Sequence, residues 1–264
     1  MAPGGRALVT GASTGIGAEL AVGLAERGMR VGTAARRADR LEEVLARCRA
    51  HVPSCVALPV DLADLDGVTD WARQADDELG GIDLLVNNAG MPKRRFATTL
   101  RLDELDAVTG LNYLSPVRVT LAVLPGMLER GRGAIVSIGS VAARMSPAGE
   151  TAYSASKAAL TAFYEGLAIE LWDTPVSVHV LHPGIVATEL FDHPDNDDHY
   201  ADDIDPLPPR AVFDALVDQL DAGSFERYVP DWFADIASGK AANLDGYLAG
   251  AAEYLRSKLD ARDR

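Results

Sequence analysis

The feature that most constrains this 264-residue chain is an alternation: short β-rich runs recur between longer helical patterns. Candidate strands fall at residues 7–10, 30–34, 56–60, 84–87, 134–138, 176–181 and 226–229. Most are apolar along their length, as strands covered on both faces are. Helical patterns occupy the stretches near 15–28, 38–50, 64–79, 103–130 and 151–172. Strands alternating with helices require right-handed crossovers, hence one doubly wound parallel sheet of about seven strands flanked by helices, an α/β fold. No internal repeat or linker divides the chain, so residues 1–264 read as a single domain. In such sheets ligands sit beyond the carboxyl ends of the strands, where the strand order reverses. Residues just after the strands are therefore the ones to inspect.

Charge and cysteines narrow the function. There are 25 Lys and Arg against 39 Asp and Glu, a net charge of −14. So acidic a surface repels polyphosphate and argues against a nucleic-acid partner. Two cysteines, Cys48 and Cys55, supply neither a disulfide framework nor a four-ligand metal cage, and reduced thiols fit a cytoplasmic address. The first residues, Met1 to Arg6, lack the apolar run of a signal peptide, and no uninterrupted apolar stretch reaches the ~18 residues of a membrane span. The expectation is a protein without a transmembrane segment.

Immediately after the first strand comes Gly11-Ala12-Ser13-Thr14-Gly15-Ile16-Gly17, running into a helix. Gly11 permits the tight turn, Gly15 lets a pyrophosphate approach the backbone, and Gly17 lets the helix pack close to the sheet. The helix N-terminus offers unpaired N–H groups to the anion. This spacing, preceded by Thr10, resembles the short-chain dehydrogenase/reductase family. The resemblance accumulates: Asn87-Asn88-Ala89-Gly90 follows the fourth strand and Ser140 the fifth. Thirteen residues beyond Ser140 begins Tyr153-Ser154-Ala155-Ser156-Lys157, and Pro183-Gly184 follows the sixth strand, with Thr188 close behind. The matches run from residue 6 to about 190. They imply a Rossmann-like nucleotide-binding oxidoreductase.

The end of the second strand separates the two nicotinamide cofactors, because an acidic side chain there accepts from a ribose 2′-hydroxyl and a basic one pairs with a 2′-phosphate. Ala35 stands where NAD-preferring members usually carry Asp, and Arg36 and Arg37 follow. A guanidinium holds phosphate in a bidentate grip. The pattern resembles NADP-preferring members, with NADP(H) favoured over NAD(H) and Arg36 as the leading contact. Solvated charges at a helix start are the plainer alternative. Asp61 resembles the residue that accepts from the adenine amino group, with Leu62 beside it; Asp61 also reads as the N-cap of a helix starting near Asp64. By the same resemblance Asn88, Ala89 and Gly90 seat the cofactor along the sheet edge. Pro183, Gly184 and Val186 flank the nicotinamide, and Thr188 bonds its carboxamide or the phosphates.

Tyr153 and Lys157 are four apart on a helical pattern and share one face. A free phenol has a pKa near ~10, and a nearby ammonium lowers it toward the range useful for general acid–base catalysis. The resemblance implies that Tyr153 exchanges a proton with the substrate oxygen, that Ser140 orients that oxygen, and that Lys157 also bonds the nicotinamide ribose. Asn112, inside a long helical pattern where an amide is unfavourable, is implied to hold a water leading to Lys157. Two departures from the family pattern stand out: Tyr113-Leu114-Ser115 follows Asn112, and Gly139 replaces a serine often found before the catalytic one.

Residues 188–209 are rich in Asp, His and Pro without periodicity and read as a substrate lid, between a core at 1–187 and a variable region at 210–264. Within the lid His193, Asp195, Asp197 and His199 raise a metal site, but their spacing matches no rigid ligand geometry and no metal is expected. Ala155, Ala158, Ala159 and Ala162 permit close helix contact, and family members commonly pair this helix across a dimer axis, implying a homodimer. The tail lacks the Gly-rich last strand of many tetrameric members. Its Tyr228, Trp232 and Phe233 read as core packing, pocket wall or contact patch. The expected activity is hydride transfer between NADP(H) and a ketone or secondary alcohol of a small apolar molecule; the rival reading is a non-catalytic dinucleotide-binding regulator.

Overall fold

The computed structural model describes residues 4–191, 196–197 and 204–262. Seven parallel strands lie in the order β3-β2-β1-β4-β5-β6-β7. They are β1 (Arg6–Thr10), β2 (Arg30–Ala34), β3 (Val56–Ala57), β4 (Leu84–Asn87), β5 (Gly133–Ile138), β6 (Val176–Pro183) and β7 (Glu226–Val229). β1 pairs with β2 on one side and β4 on the other, so the order reverses there and a crevice opens above Thr10 and Asn87. β3 is shorter than its apolar run. Only two residues pair as strand, although the Leu58 and Val60 N–H groups still donate to the Thr33 and Ala35 carbonyls at this edge.

Helices α1 (Gly15–Glu26), α2 (Ala38–Arg49) and α8 (Pro209–Ala222) cover one face, while α3 (Val68–Leu79), α5 (Ser115–Glu129) and α7 (Thr151–Glu170) cover the other. Side chains alternate between the two cores along each strand. Ala7, Val9 and Val86 meet Leu20, Leu24 and Phe213 on the first face. Leu8, Leu85 and Ile135 meet Val123, Met127 and Tyr164 on the second. Both faces are dry, which explains why the strands read as continuous apolar runs.

The 103–130 pattern is one helical run with a flaw in it. α4 (Leu102–Thr109) passes through a π turn, Gly110–Leu114, into α5. Pro116 supplies the cause. An α-helical ladder would pair its N–H with the Asn112 carbonyl, but proline has no N–H and its ring collides with that carbonyl. The run Leu102–Glu129 is long and apolar enough to cross a membrane by length and composition, with a mean hydropathy of 1.2. Here Val119, Val123 and Met127 are buried against the sheet.

α6 (Ala142–Met145) is a single turn after β5, and α9 (Phe233–Ala242) and α10 (Leu244–Arg262) form the tail. Val141, Met145, Tyr228, Phe233 and Tyr247 make a third, small apolar cluster between the tail and the end of β5. Of the 188–209 segment, Glu189–Phe191 form a 3-10 turn and Leu207 bridges to Val186. His193, Asp195 and His199 lie outside the described residues.

Candidate active site

A cavity of about 1090 Å³ follows the carboxyl ends of the strands from the β2 tip to the tail. Its floor is the glycine turn. Gly11 has φ +66, and a Cβ on Gly17 would stand 2.2 Å from the Gly11 carbonyl oxygen, so neither position tolerates a side chain. Thr14 precedes α1 with extended backbone and no side-chain cap among the described residues, leaving the first N–H groups of the helix open to the cavity. Ser13, Gly15 and Ile16 complete this wall. Thr10 ties it to β4: its hydroxyl accepts from the Asn88 and Ala89 N–H groups at 3.0 and 3.1 Å.

Ala35, Arg36, Arg37, Asp61 and Leu62 line the β2 end. Arg37 donates to the hydroxyls of Thr14 and Ser13 at 3.1 and 3.4 Å, reaching over the glycine turn. Arg36 is exposed too, its Nε 4.0 Å from Asp61 Oδ1. Asp61 is not the cap of α3, which starts at Val68 after Gly67. It closes a tight turn instead, accepting the Ala63 N–H at 3.0 Å, because Asp readily bonds the backbone two residues on.

At the other end Ser140, Tyr153 and Lys157 meet. The Tyr153 hydroxyl hydrogen-bonds Ser140, whose Oγ also accepts the Ala142 N–H at 3.1 Å. Lys157, 4 % exposed, donates to the Ile138 carbonyl at 2.9 Å and lies 5.9 Å from the Tyr153 ring centroid. The expectation of a phenol lowered by its lysine is not met. Burial pushes the Tyr153 phenol up, the Ser140 hydrogen bond opposing it, and burial pushes the Lys157 ammonium down to about 8. Desolvation penalises the charged form of each group.

Asn88, Ala89, Gly90, Pro183, Gly184, Val186 and Thr188 also line the cavity, with Asn88 spending its amide on the Thr10 and Gly11 carbonyls. Asn112 does not reach it. Buried behind Gly90, its Oδ1 accepts the Met91 N–H at 2.8 Å and its Nδ2 donates to Met91 O and Ser156 Oγ. The side chain latches the β4 loop to α7, so a water held by Asn112 would lean on its backbone rather than its amide.

Sequence reasoning overlooked two groups. Arg94 and Glu150 form a buried ion pair of 3.0 Å on the cavity wall near Tyr153. Burial pushes the Glu150 carboxyl up, against Arg94. The Arg94 backbone also clasps the lid: its N–H donates to Asn196 Oδ1 and its carbonyl accepts from Asp197 N–H. The run Lys93-Arg94-Arg95 just after the β4 loop was the available signal. The second group is the far part of the tail wall, where Tyr247, Gly250 and Tyr254 face the cavity beside Trp232, whose reading as pocket wall the sequence already offered. Trp232 stacks on Phe233 at 3.8 Å, Phe233 is buried, and Tyr228 belongs to the core.

The short chain dehydrogenase family model matches residues 6–198, from the start of β1 into the lid. The chain belongs to the short-chain dehydrogenase family. It is 39% identical over 184 residues to an "Uncharacterized oxidoreductase" of Myxococcus xanthus, covering 70% of this chain and 73% of that one. Several other curated relatives are longer, and the match spans only 55% to 61% of four of them. A short-chain dehydrogenase from Sphingobium yanoikuyae in complex with NADPH superposes with a TM-score of 0.79 at 29% identity, covering 91% of this chain and 94% of that one. The bulky-bulky ketone specific alcohol dehydrogenase from Comamonas testosteroni gives 0.76 at 26% identity, covering 93% and 94%. Family, fold and oxidoreductase class thus agree with the geometry.

Proposed function

We propose that this short-chain dehydrogenase reduces a predominantly apolar ketone, bulkier than the small molecule expected from the sequence, with NADPH, or oxidises the matching secondary alcohol, with Tyr153 as the general acid/base. The observation that carries the reading is one continuous cavity with a guanidinium and helix N-terminus at one end and a buried Ser140–Tyr153 hydrogen bond at the other. The residues fit a dinucleotide: the uncapped α1 terminus suits the pyrophosphate, and Arg36 and Arg37 suit a 2′-phosphate where Ala35 offers no opposing carboxylate. When bound, the nicotinamide supplies or accepts the hydride.

The protein's own part is position and proton. Ser140 holds the substrate oxygen beside the Tyr153 hydroxyl, and Tyr153, kept protonated by burial, gives its proton to that oxygen in reduction. Lys157, fixed on the Ile138 carbonyl, presents its ammonium to the ribose side of the site. The buried Arg94–Glu150 pair and the lid clasp exclude water from this corner. Nothing in a non-catalytic regulator would call for so buried a lysine.

The tail wall supports the substrate size, since Gly250 and Ala251 leave room between Tyr247 and Tyr254. Exposed Leu121 and Leu128 on α5, with Ile169 and Trp172 at the end of α7, support a homodimer through these helices. Cys48 and Cys55 are free and buried, and burial pushes the Cys48 thiol up to about 12, in keeping with a reducing cytoplasm. The test is a panel of cyclohexanone, 2-decanone, acetophenone and benzil, assayed with NADPH and NADH. The larger ketones should turn over faster, and with NADPH. No turnover with any ketone, or a strict preference for NADH, would refute the reading.

A further inference from the structure

Behind Ser140 lies a side-chain network that the mechanism above does not use. His182, at the end of β6, is completely buried. Its Nδ1 stands 3.3 Å from the Ser140 backbone nitrogen and 3.0 Å from the Ser140 carbonyl oxygen. Its Nε2 is 3.0 Å from Glu226 Oε1, and its ring stacks on Tyr228 at 5.1 Å. Glu226 is held in turn by Arg144, which also pairs with Glu165. Burial opposes the ionisation of Glu226, yet the hydrogen bonds from His182 and Arg144 outweigh it and hold its carboxyl down at about 2.

An ionised carboxylate only accepts, so the Nε2 facing it carries the hydrogen. In the neutral ring Nδ1 then accepts the Ser140 N–H; in the imidazolium it donates to the Ser140 carbonyl. Either way the ring restrains the peptide that carries the Ser140 side chain. The other anchors among the described residues are backbone only: Gly139 N–H to Leu181 O, Val141 N–H to Pro183 O and, from the helix side, Ala143 N–H to the Ser140 carbonyl. His182 is the side chain that grips Ser140 itself from the sheet side.

Gly139 is the other half of the device. A Cβ there would stand 2.6 Å from His182 Nδ1 and 2.9 Å from its Cε1. A serine here, which the family resemblance leads one to expect, would drive the ring off Ser140. The departure at Gly139 and the histidine at 182 therefore make one unit.

We infer that His182, oriented by Glu226 and admitted by Gly139, is a positioning residue that fixes Ser140 against Tyr153. The inference rests on the role proposed for Ser140, and the experiment keeps the two apart. An asparagine at 182 places an amide atom where Nδ1 was, and a glutamine places one where Nε2 was. With NADPH and the best ketone of the panel, His182→Asn should keep kcat within about threefold of the native value. His182→Gln, which answers Glu226 but not Ser140, should lower kcat about tenfold to a hundredfold, the scale of a small misplacement of a reacting group. NADPH affinity, read by its fluorescence, should stay unchanged in both.

Gly139→Ala supplies a second handle should the histidine variants fail to fold. By itself it should lower kcat about tenfold to a hundredfold at unchanged NADPH affinity, and where His182→Ala does fold it should add no further loss on top of it, since the ring it displaces is already gone. Equal kcat for the Asn and Gln variants, native kcat in Gly139→Ala, or losses that track NADPH affinity would overturn the inference. Ser140→Ala is the control. If it leaves turnover intact, the mechanism itself fails; if it abolishes turnover while His182→Gln stays native, only the positioning role fails.

Discussion

The two ends of the cavity are built on opposite principles. At the chemical end Tyr153 and Lys157 are buried, each with a fixed partner, and burial moves their proton affinities in opposite directions. At the β2 end Arg36 is mostly exposed, and Arg37 rests on two hydroxyls of the glycine turn through exposed contacts. Charge in water is weak and adjustable; charge in a dry, rigid corner is strong and hard to replace. Cofactor choice should therefore be tunable by small steps, whereas the chemistry should fail abruptly.

The largest effect expected is at the dry end. Tyr153→Phe should reduce turnover by about 10²–10⁴-fold, the range of a lost general acid, while NADPH binding persists. Steady-state kinetics beside a binding titration would show it, and unchanged turnover would erase the contrast between the ends. A pH profile comes next. With Lys157 titrating near 8, kcat should fall as pH rises through about 8 and the ammonium is lost. Stability should move the other way. Between about 8 and its ordinary 10.5 the unfolded chain holds this proton more tightly than the folded one, so this group favours the fold increasingly as pH rises. Melting curves across the same range would distinguish deprotonation from unfolding.

At the wet end Arg37→Ala should weaken NADPH by about 1–3 kcal/mol, the scale of hydrogen bonds to a charged group, and leave NADH nearly untouched. Arg36→Ala should do less, because its guanidinium turns to Asp61 rather than to the glycine turn, and equal losses for both cofactors would break the 2′-phosphate assignment. The smallest effect belongs to the tail. Gly250→Leu narrows the tail wall of the cavity and should raise KM for benzil several-fold while sparing cyclohexanone, as a loss confined to substrate size.

Much of this was legible before any coordinates. Strand positions followed from apolar runs because both faces of the sheet are dry, and the glycine turn because its backbone leaves no space for a Cβ. The Ser140, Tyr153 and Lys157 spacing was readable because a strand end and a helix fix it locally. What stayed hidden depends on contacts between distant segments. The Arg94–Glu150 pair joins residues 56 apart, and the His182–Glu226 pair joins residues 44 apart. The upward push on the Tyr153 phenol stayed hidden for a related reason. Sequence reports which charges are neighbours but not how thoroughly water is removed from around them.

The π turn has a consequence for how this helix can change. It is a register fault: between the end of α4 and the start of α5 the chain holds one residue more than a regular helix of that span would need. Removing one residue here would take out the surplus and leave α4 and α5 on their present faces, so the change would fall on the turn itself and re-aim what remains of it. Asn112 would leave Met91 and Ser156, and the β4 loop would lose its latch. A more regular helix would thus be the worse component, and single-residue deletions through Gly110–Leu114 should yield a folded chain with an unfastened site.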